Sequence, residues 1–382
     1  MRARLALCAA VLPLLVLPWL SPWPTADLSN AFTDHLRHAF VARVFLVRGL
    51  DVYRLPLGEA AQGVDARHPG PYWAHVPYAY PPGALILFMP LSIGSEFLVE
   101  DARLHARLLV TFTTLLAILA WLAIVWLLFS GGNRERSFET AMRVVVAAFA
   151  FGQLMHEGLD GFYDPAWVGL GAVAILNLQR ERFGAALALC VAAAAIHLRA
   201  VALLPIAIAA LVGLLRTRRS RAWIHPATIA GILVAAIDVW VFVEIRPFAA
   251  DFRQQTTALV SQLSVGLAVC VGLSAMAAGL CVGCRQWVAA GTVALVLVLA
   301  VVDLRAWWHA GLALIPLLLA ASPTGPRLLH LPVRRRMLSL LASVVLVVWA
   351  VQVQHFAWGG RAWDLPRKIA HSLTAGAVNL HP

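Results

Sequence analysis

Charge is what this chain has least of. Of its 382 residues 13% are charged and 61% are hydrophobic, whereas a soluble domain carries about 25% charged and roughly 45–50% apolar residues. That balance excludes an ordinary soluble enzyme and places the chain in a bilayer. Lysine is nearly missing: of the 30 cations all but Lys368 are Arg. The formal charge of +11 would suit nucleic acid if it formed one basic face, but the arginines are scattered through short gaps between apolar runs. Such scatter reads as membrane topology, so no nucleic-acid partner is expected. Cysteine is scarce too. Cys8, Cys190, Cys270, Cys281 and Cys284 all fall inside apolar stretches, which indicates neither a disulfide framework nor a zinc site. Cys281 and Cys284 form a lone CxxC without a second ligand pair. An internal repeat is not evident.

What the chain has in abundance is apolar runs bounded by charge. A spanning helix needs about 20 mostly apolar residues, with a tolerance of about 17–25. On that measure spans are expected near 5–20, 107–130, 143–160, 165–179, 183–198, 201–215, 223–243, 262–283, 287–303, 309–322 and 337–353. The expected fold is thus an all-α, polytopic membrane helix bundle of about 11 transmembrane helices in a single domain, 1–382. Several runs are short, as for helices that stop below the membrane surface around a polar cavity. Arginines of the short loops (Arg2, Arg4, Arg134, Arg136, Arg143, Arg180, Arg182, the 216–221 group, Arg285, Arg327 and 334–336) then share one side, which is cytoplasmic by the positive-inside rule. The first extracytoplasmic segment, 21–106, and the tail, 354–382, lie on the other. The first run reads as a retained signal anchor, because Pro and Trp stand where a signal peptidase wants small residues; a cleaved signal peptide is the alternative. Within 21–106, apolar Phe32, Phe40, Val44 and Phe45 recur at helical spacing among His35, Arg37, His38, Arg43 and Arg48, which suits an interfacial helix with the first three as cations beside Asp34. The stretch Gly83–Ile93 is too short to span and contains Pro90, and it reads as a second interfacial or re-entrant helix.

Ionisable residues at membrane depth are costly and usually line a cavity or a site. On the outer side they gather at four places: Asp34 and Asp51; His156, Glu157, Asp160 and Asp164; His197 and Arg199; Asp303, Arg305 and His309. Arg199 and Arg305 can grip a phosphate through charge-assisted bonds, His197 and His309 can donate to it, and a carboxylate can accept the proton of an attacking hydroxyl. Taken singly, each is as well explained by a solvated or snorkelling side chain. Trp307, Trp308, Trp358 and Trp363 sit where an interfacial aromatic belt would put them. Asp238 lies inside an otherwise apolar span and is expected to face the bundle interior.

Four stretches resemble one family. Asp34, then Gly49 with Asp51-Val52-Tyr53, is similar to the opening signature of family 87 of the GT-C glycosyltransferases. Tyr78-Ala79-Tyr80-Pro81-Pro82-Gly83, with Met89-Pro90-Leu91, resembles that family's Tyr-Pro-Pro helix. His197-Leu198-Arg199, running into Leu203-Leu204-Pro205, resembles its His-x-Lys turn. Trp308-His309, then Leu312 to Pro316, resembles its Trp-x-His-His and Leu-Pro segment. The matches keep the family's order from Asp34 to Pro316. Departures are plain: Arg199 stands for the usual Lys and is followed by Ala200, His309 is single and followed by Ala310, and Gly152-Gln153-Leu154-Met155-His156-Glu157 replaces a Gly-Gln-x-Asn turn. They touch the sugar and acceptor sites more than the fold.

The resemblance implies an inverting transfer of a sugar, commonly mannose, from a polyprenyl-phosphate donor to a lipid or glycan acceptor. It would occur on the extracytoplasmic face of a bacterial plasma membrane, with no cofactor, nucleotide sugar or metal. It implies that Asp34 is the catalytic base, with Asp51, Glu157 and Asp160 as competing or acceptor-side acids. His197, Arg199, Arg305 and His309 would hold the donor phosphate. A transporter or flippase of a lipid-linked sugar, and an inactive scaffold of envelope assembly, are the alternatives from other classes.

Overall fold

The computed structural model describes residues 12–20, 33–64, 74–98, 102–130, 137–159, 161–216, 221–248, 288, 291–296, 314–316 and 318–319. Among them every regular element is helical and no strand occurs. A 3₁₀ turn, Leu12–Val16, leads into α1 (Leu17–Leu20). Then come α2 (Thr33–Arg48), the short α3 (Asp51–Arg54) and α4 (Leu57–Ala60), and α5 (Pro82–Leu98). The remaining helices are α6 (Ala102–Phe129), α7 (Ser137–Leu159), α8 (Asp164–Gln179), α9 (Phe183–Ile196), α10 (Leu204–Arg216) and α11 (Arg221–Ile245). A 3₁₀ segment, Leu198–Leu203, joins α9 to α10.

The expected spans 107–130, 143–160, 165–179, 183–198, 201–215 and 223–243 thus coincide with α6 to α11. The spans expected at 262–283 and 337–353 lie outside the described residues, and those at 287–303 and 309–322 mostly so. Two helical stretches are long and apolar enough to cross a membrane: Arg107–Phe129, with mean hydropathy 2.5, and Leu198–Arg216, with 2.4. Pro82–Ser92 and Phe183–Ile196 are shorter apolar helices.

Two packed cores organise the bundle. The larger is built by α6 to α10 around fully buried Trp167, with Ile315 and Leu318 packed into it. Leu and Ala dominate these helices, which favours both helix propensity and close approach. Where apolar faces meet in a membrane, hydrogen bonds add cohesion. Buried Thr113 of α6 donates through Oγ1 to the Gly158 carbonyl of α7 at 2.7 Å, and Trp121 of α6 donates through Nε1 to the Ala147 carbonyl at 2.9 Å. The outward faces carry Leu119, Val144, Val145, Ile208, Leu233 and Val239 exposed. Water tolerates such apolar surface poorly, and hydrocarbon covers it without cost.

The smaller core packs α2 against α5, burying Phe40, Val41, Val44, Leu85 and Phe88 with Tyr53 and Tyr78. The helix expected to lie in the interface is α2, and its middle, 38–42, is buried all the way round by protein, with only 46–48 at its end exposed. Its end is set by Gly49, whose φ of 60° only glycine adopts without strain, and whose N–H closes on the Phe45 carbonyl at 2.8 Å. Gly83-to-Ile93 proves to be the first part of a longer helix, α5, which runs through Pro90 to Leu98.

Candidate functional site

The short helices end inside the bundle, and their ends meet. Pro165 sits in the first turn of α8, where its missing N–H costs nothing and its fixed φ pre-forms the helix. Asp164 begins that turn and is 2% exposed, and a carboxylate there is favoured by the helix dipole. The chain leaves α9 at His197, whose extended backbone (φ −146°, ψ 130°) stops the helix. His197 Nδ1 then accepts the Arg199 backbone N–H at 3.0 Å, capping the 3₁₀ segment. Because Nδ1 is the acceptor, the neutral imidazole carries its proton on Nε2.

That Nε2 lies 3.6 Å from Asp164 Oδ1. The same oxygen accepts from Arg199 Nη1 at 3.2 Å and from Trp167 Nε1 at 3.2 Å. Asp164 is therefore the hub on which two donors converge, with the His197 imidazole beside them. One fork of Arg199 is spent on it, and a guanidinium has five N–H donors. The local charge at Arg199 is accordingly offset by a carboxylate, which matters for how strongly any anion would be held.

Aromatic rings connect this hub to α2. Tyr163, just before Asp164, lies with its ring 5.2 Å from His197 and 4.7 Å from His38. Tyr80 spans the same two imidazoles, at 5.6 Å and 4.9 Å. His38 stacks on Phe88 at 5.1 Å, and its Nδ1 is hydrogen-bonded to the Tyr78 hydroxyl at 2.8 Å. The Tyr78-Ala79-Tyr80-Pro81-Pro82 stretch is thus the wall between the two histidines. Its approach is tight at Gly83: a Cβ there would lie 2.1 Å from the Ala195 carbonyl oxygen at the end of α9.

The sequence-derived candidates fall as follows. His197 and Arg199 come together, joined by Asp164. Asp34 lies on α2 one turn before His38, four residues on, which places both positions on one helix face; its side chain is outside the described residues. Glu157 is buried in the last turn of α7, beside the turn in which Phe162 donates to its carbonyl at 2.8 Å. Asp51 is half-buried at the start of α3, and its carboxylate makes no hydrogen bond or ion pair among the described residues. Asp160, Arg305 and His309 lie outside the described residues, as do Cys281 and Cys284.

Family models, curated proteins and solved structures were all compared with this chain, and none matches. The site therefore rests on its own chemistry.

Sequence reasoning placed His38 beside Asp34 as a neighbouring cation and Asp164 as one of three acids at its turn. Burial gives both a larger part. His38, 3% exposed, is enclosed by four rings, and Asp164 accepts from Trp167 in its own helix and from Arg199, 35 positions away. The available signal was the Tyr-x-Tyr-Pro-Pro motif, whose two tyrosines flank the histidines.

At the edge of the smaller core stands a second polar group. Tyr53 is fully buried, with its ring 5.4 Å from Trp240. Burial, reinforced by the Asp238 carboxylate, pushes its hydroxyl well above the ordinary tyrosine range. Arg54 meets Glu244 at 3.5 Å and lies over Trp240 at 5.9 Å, which ties α3 to α11.

Proposed function

We propose that this chain is a multi-pass membrane glycosyltransferase of the GT-C type, with about eleven spans. It moves a sugar, mannose by resemblance, from a polyprenyl-phosphate donor to a lipid or glycan acceptor on the extracytoplasmic face of a bacterial plasma membrane. The observation that carries the reading is the hub of buried Asp164 and His197 with half-buried Arg199. It sits where two apolar helices stop short and is linked through Tyr80 and Tyr163 to the helix that bears Asp34.

In this reading Asp34 takes the proton from an acceptor hydroxyl as that oxygen attacks the anomeric carbon. The bond between that carbon and the phosphate oxygen breaks from the opposite side, and polyprenyl phosphate leaves as an anion with inversion. The leaving group is already a stabilised anion, so protein cations suffice: Arg199, with Arg305 and His309, would hold it, and His197 would fix the backbone of Arg199. Pre-set charges of this kind are worth several kcal/mol, about 3 for a single donor. The base contributes about 10²–10⁴-fold. Asp164 keeps the Arg199 guanidinium in one orientation, which is the positional half of the same effect. No step in this scheme draws on a cofactor.

The test is transfer of labelled mannose from a polyprenyl-phosphate donor into membrane lipid by vesicles holding the full chain. Asp34→Asn should lower turnover by about 10²-fold or more while donor binding persists; near wild-type turnover would end the assignment of the base. Arg199→Ala should weaken donor binding, and Arg199→Lys should keep part of it, because Lys supplies the charge without the fork. Movement of a lipid-linked sugar across the vesicle bilayer, without transfer, would replace the enzyme by a transporter.

A further inference from the structure

Away from the hub, α9, α10, α11 and the 3₁₀ segment enclose a cavity of about 390 Å³. Its wall is apolar, with Val191, Leu204, Ile208 and Gly231 among its residues, and one acid, Asp238, stands in it. The Oδ1 atom of Asp238 is buried and has no hydrogen-bond partner among the described residues. Leu204, Ile208 and Ile232 are exposed at the rim, so the cavity opens on the surface that hydrocarbon covers in a spanning helix bundle.

These features fit together as a ligand site. A volume of this size falls within the range of small-molecule pockets, about 300–1,000 Å³. From Gly231 to Asp238 the helix rises by about 10 Å, long enough for a single alkyl or isoprenoid chain to lie along α11 with its head at Asp238. An acid inside hydrocarbon is expensive unless a partner meets it, and such residues commonly mark a binding position. A phosphate head would be repelled there, because like charges in a medium of low dielectric strongly disfavour each other. A head that donates a hydrogen bond would satisfy Oδ1.

We propose that this cavity is a lateral lipid site, distinct from the Arg199 hub, for an apolar chain headed by a hydrogen-bond donor without negative charge. An amine and a hydroxyl share that chemistry. The ligand enters sideways from the bilayer, its chain along Val191 and Ile208 and its head on Asp238. The site does not depend on the transferase reading, since binding is read without turnover.

The experiment uses the full chain in nanodiscs of phosphatidylcholine, whose headgroup offers no N–H or O–H donor. Decylamine, decanol and decyl phosphate are titrated while the thermal midpoint is followed. Decylamine, decanol or both should give a saturable rise, which identifies the head as amine or hydroxyl, and decyl phosphate should give none. Asp238→Leu should raise the half-saturating concentration about tenfold or more, the equivalent of about 1.4 kcal/mol. Gly231→Leu tests the other end of the chain: a Cβ there meets Val191 at an ordinary 3.5 Å, so the backbone tolerates it while a longer side chain fills the cavity and removes the rise. Should Asp238→Leu fail to fold, a photoreactive decylamine on the wild type should label the cavity residues of α9 to α11, with competition by decylamine. A rise with decyl phosphate equal to that with decylamine, an unchanged response in both variants, or labelling confined to other helices would overturn the proposal.

Discussion

Removing the Asp164 carboxylate is the sharpest perturbation of the hub. Asp164→Ala takes one acceptor from two donors at once, Arg199 Nη1 and Trp167 Nε1, both at 3.2 Å, and removes the carboxylate 3.6 Å from His197 Nε2. The Asp164 and His197 side chains are 3% exposed and that of Arg199 is 12%, so little water replaces what is lost. Breaking one side of a buried ion pair costs about 3–5 kcal/mol. Asp164→Asn retains an oxygen for Trp167 and Arg199 and forfeits the charge, for which a loss of about 1–3 kcal/mol is expected. The decisive variant is the double one, Asp164→Ala with Arg199→Leu. If the carboxylate serves chiefly to hold the guanidinium, the double variant loses less than the sum of the singles, by about 1–3 kcal/mol. Unfolding of the purified chain in mixed micelles, followed by tryptophan fluorescence and far-UV circular dichroism, gives all three values. Additivity within about 0.5 kcal/mol would refute the hub as a coupled unit.

Other outcomes follow from single contacts. Gly83→Ala should destabilise by about 1–3 kcal/mol and loosen α5 from α9, because its Cβ would lie 2.1 Å from a backbone oxygen; an unfolding midpoint equal to wild type would contradict that packing. Thr113→Val removes the link to the Gly158 carbonyl and should cost about 0.6 kcal/mol, the mean for such bonds in membranes. Tyr53 holds its proton in the folded chain where the unfolded chain, with a tyrosine value of 10.0, releases it. The folded state then binds more protons above that pH, so stability should fall as pH rises past about 10. Tyr53→Phe should flatten this limb in pH-dependent melting. For topology, a cysteine at Gly132 should label only from the cytoplasmic side and one at Gly376 only from outside, as read by impermeant maleimides.

Helix placement was legible because the membrane code is local. Apolar runs broken by Arg180 and Arg182, or by Arg216 to Arg221, mark where α8, α9, α10 and α11 start and stop, within a few residues. The break at His197 was legible only as a motif: the 3₁₀ segment at Leu198–Leu203 stays apolar, and periodicity runs straight through it. Asp164 and His38 were not legible as centres, since each owes its role to partners 35 or more residues along the chain, Arg199 for one and Tyr78 for the other, and burial is a property of the packed bundle. Equally, the expectation of cations beside Asp34 overlooked that one of those histidines would be enclosed by Tyr78, Tyr80, Phe88 and Tyr163.

The shortness of α8 and α9 bears on the lipid that the proposed multi-pass reading puts around them. Their 16 and 14 residues amount to about 24 Å and 21 Å, against a hydrocarbon thickness of about 30 Å. α6 beside them runs 28 residues, about 42 Å. On the proposed multi-pass reading, a bilayer wrapped around such unequal neighbours would thin locally, at a modest cost per ångström of mismatch. The headgroup plane would dip over α8 and α9 by several ångströms. In that reading a lipid phosphate carried in the dimple would descend toward the level of Arg199 while its chain stayed in the acyl region, so a polar head and a long apolar tail would reach the bundle together without a water-filled channel.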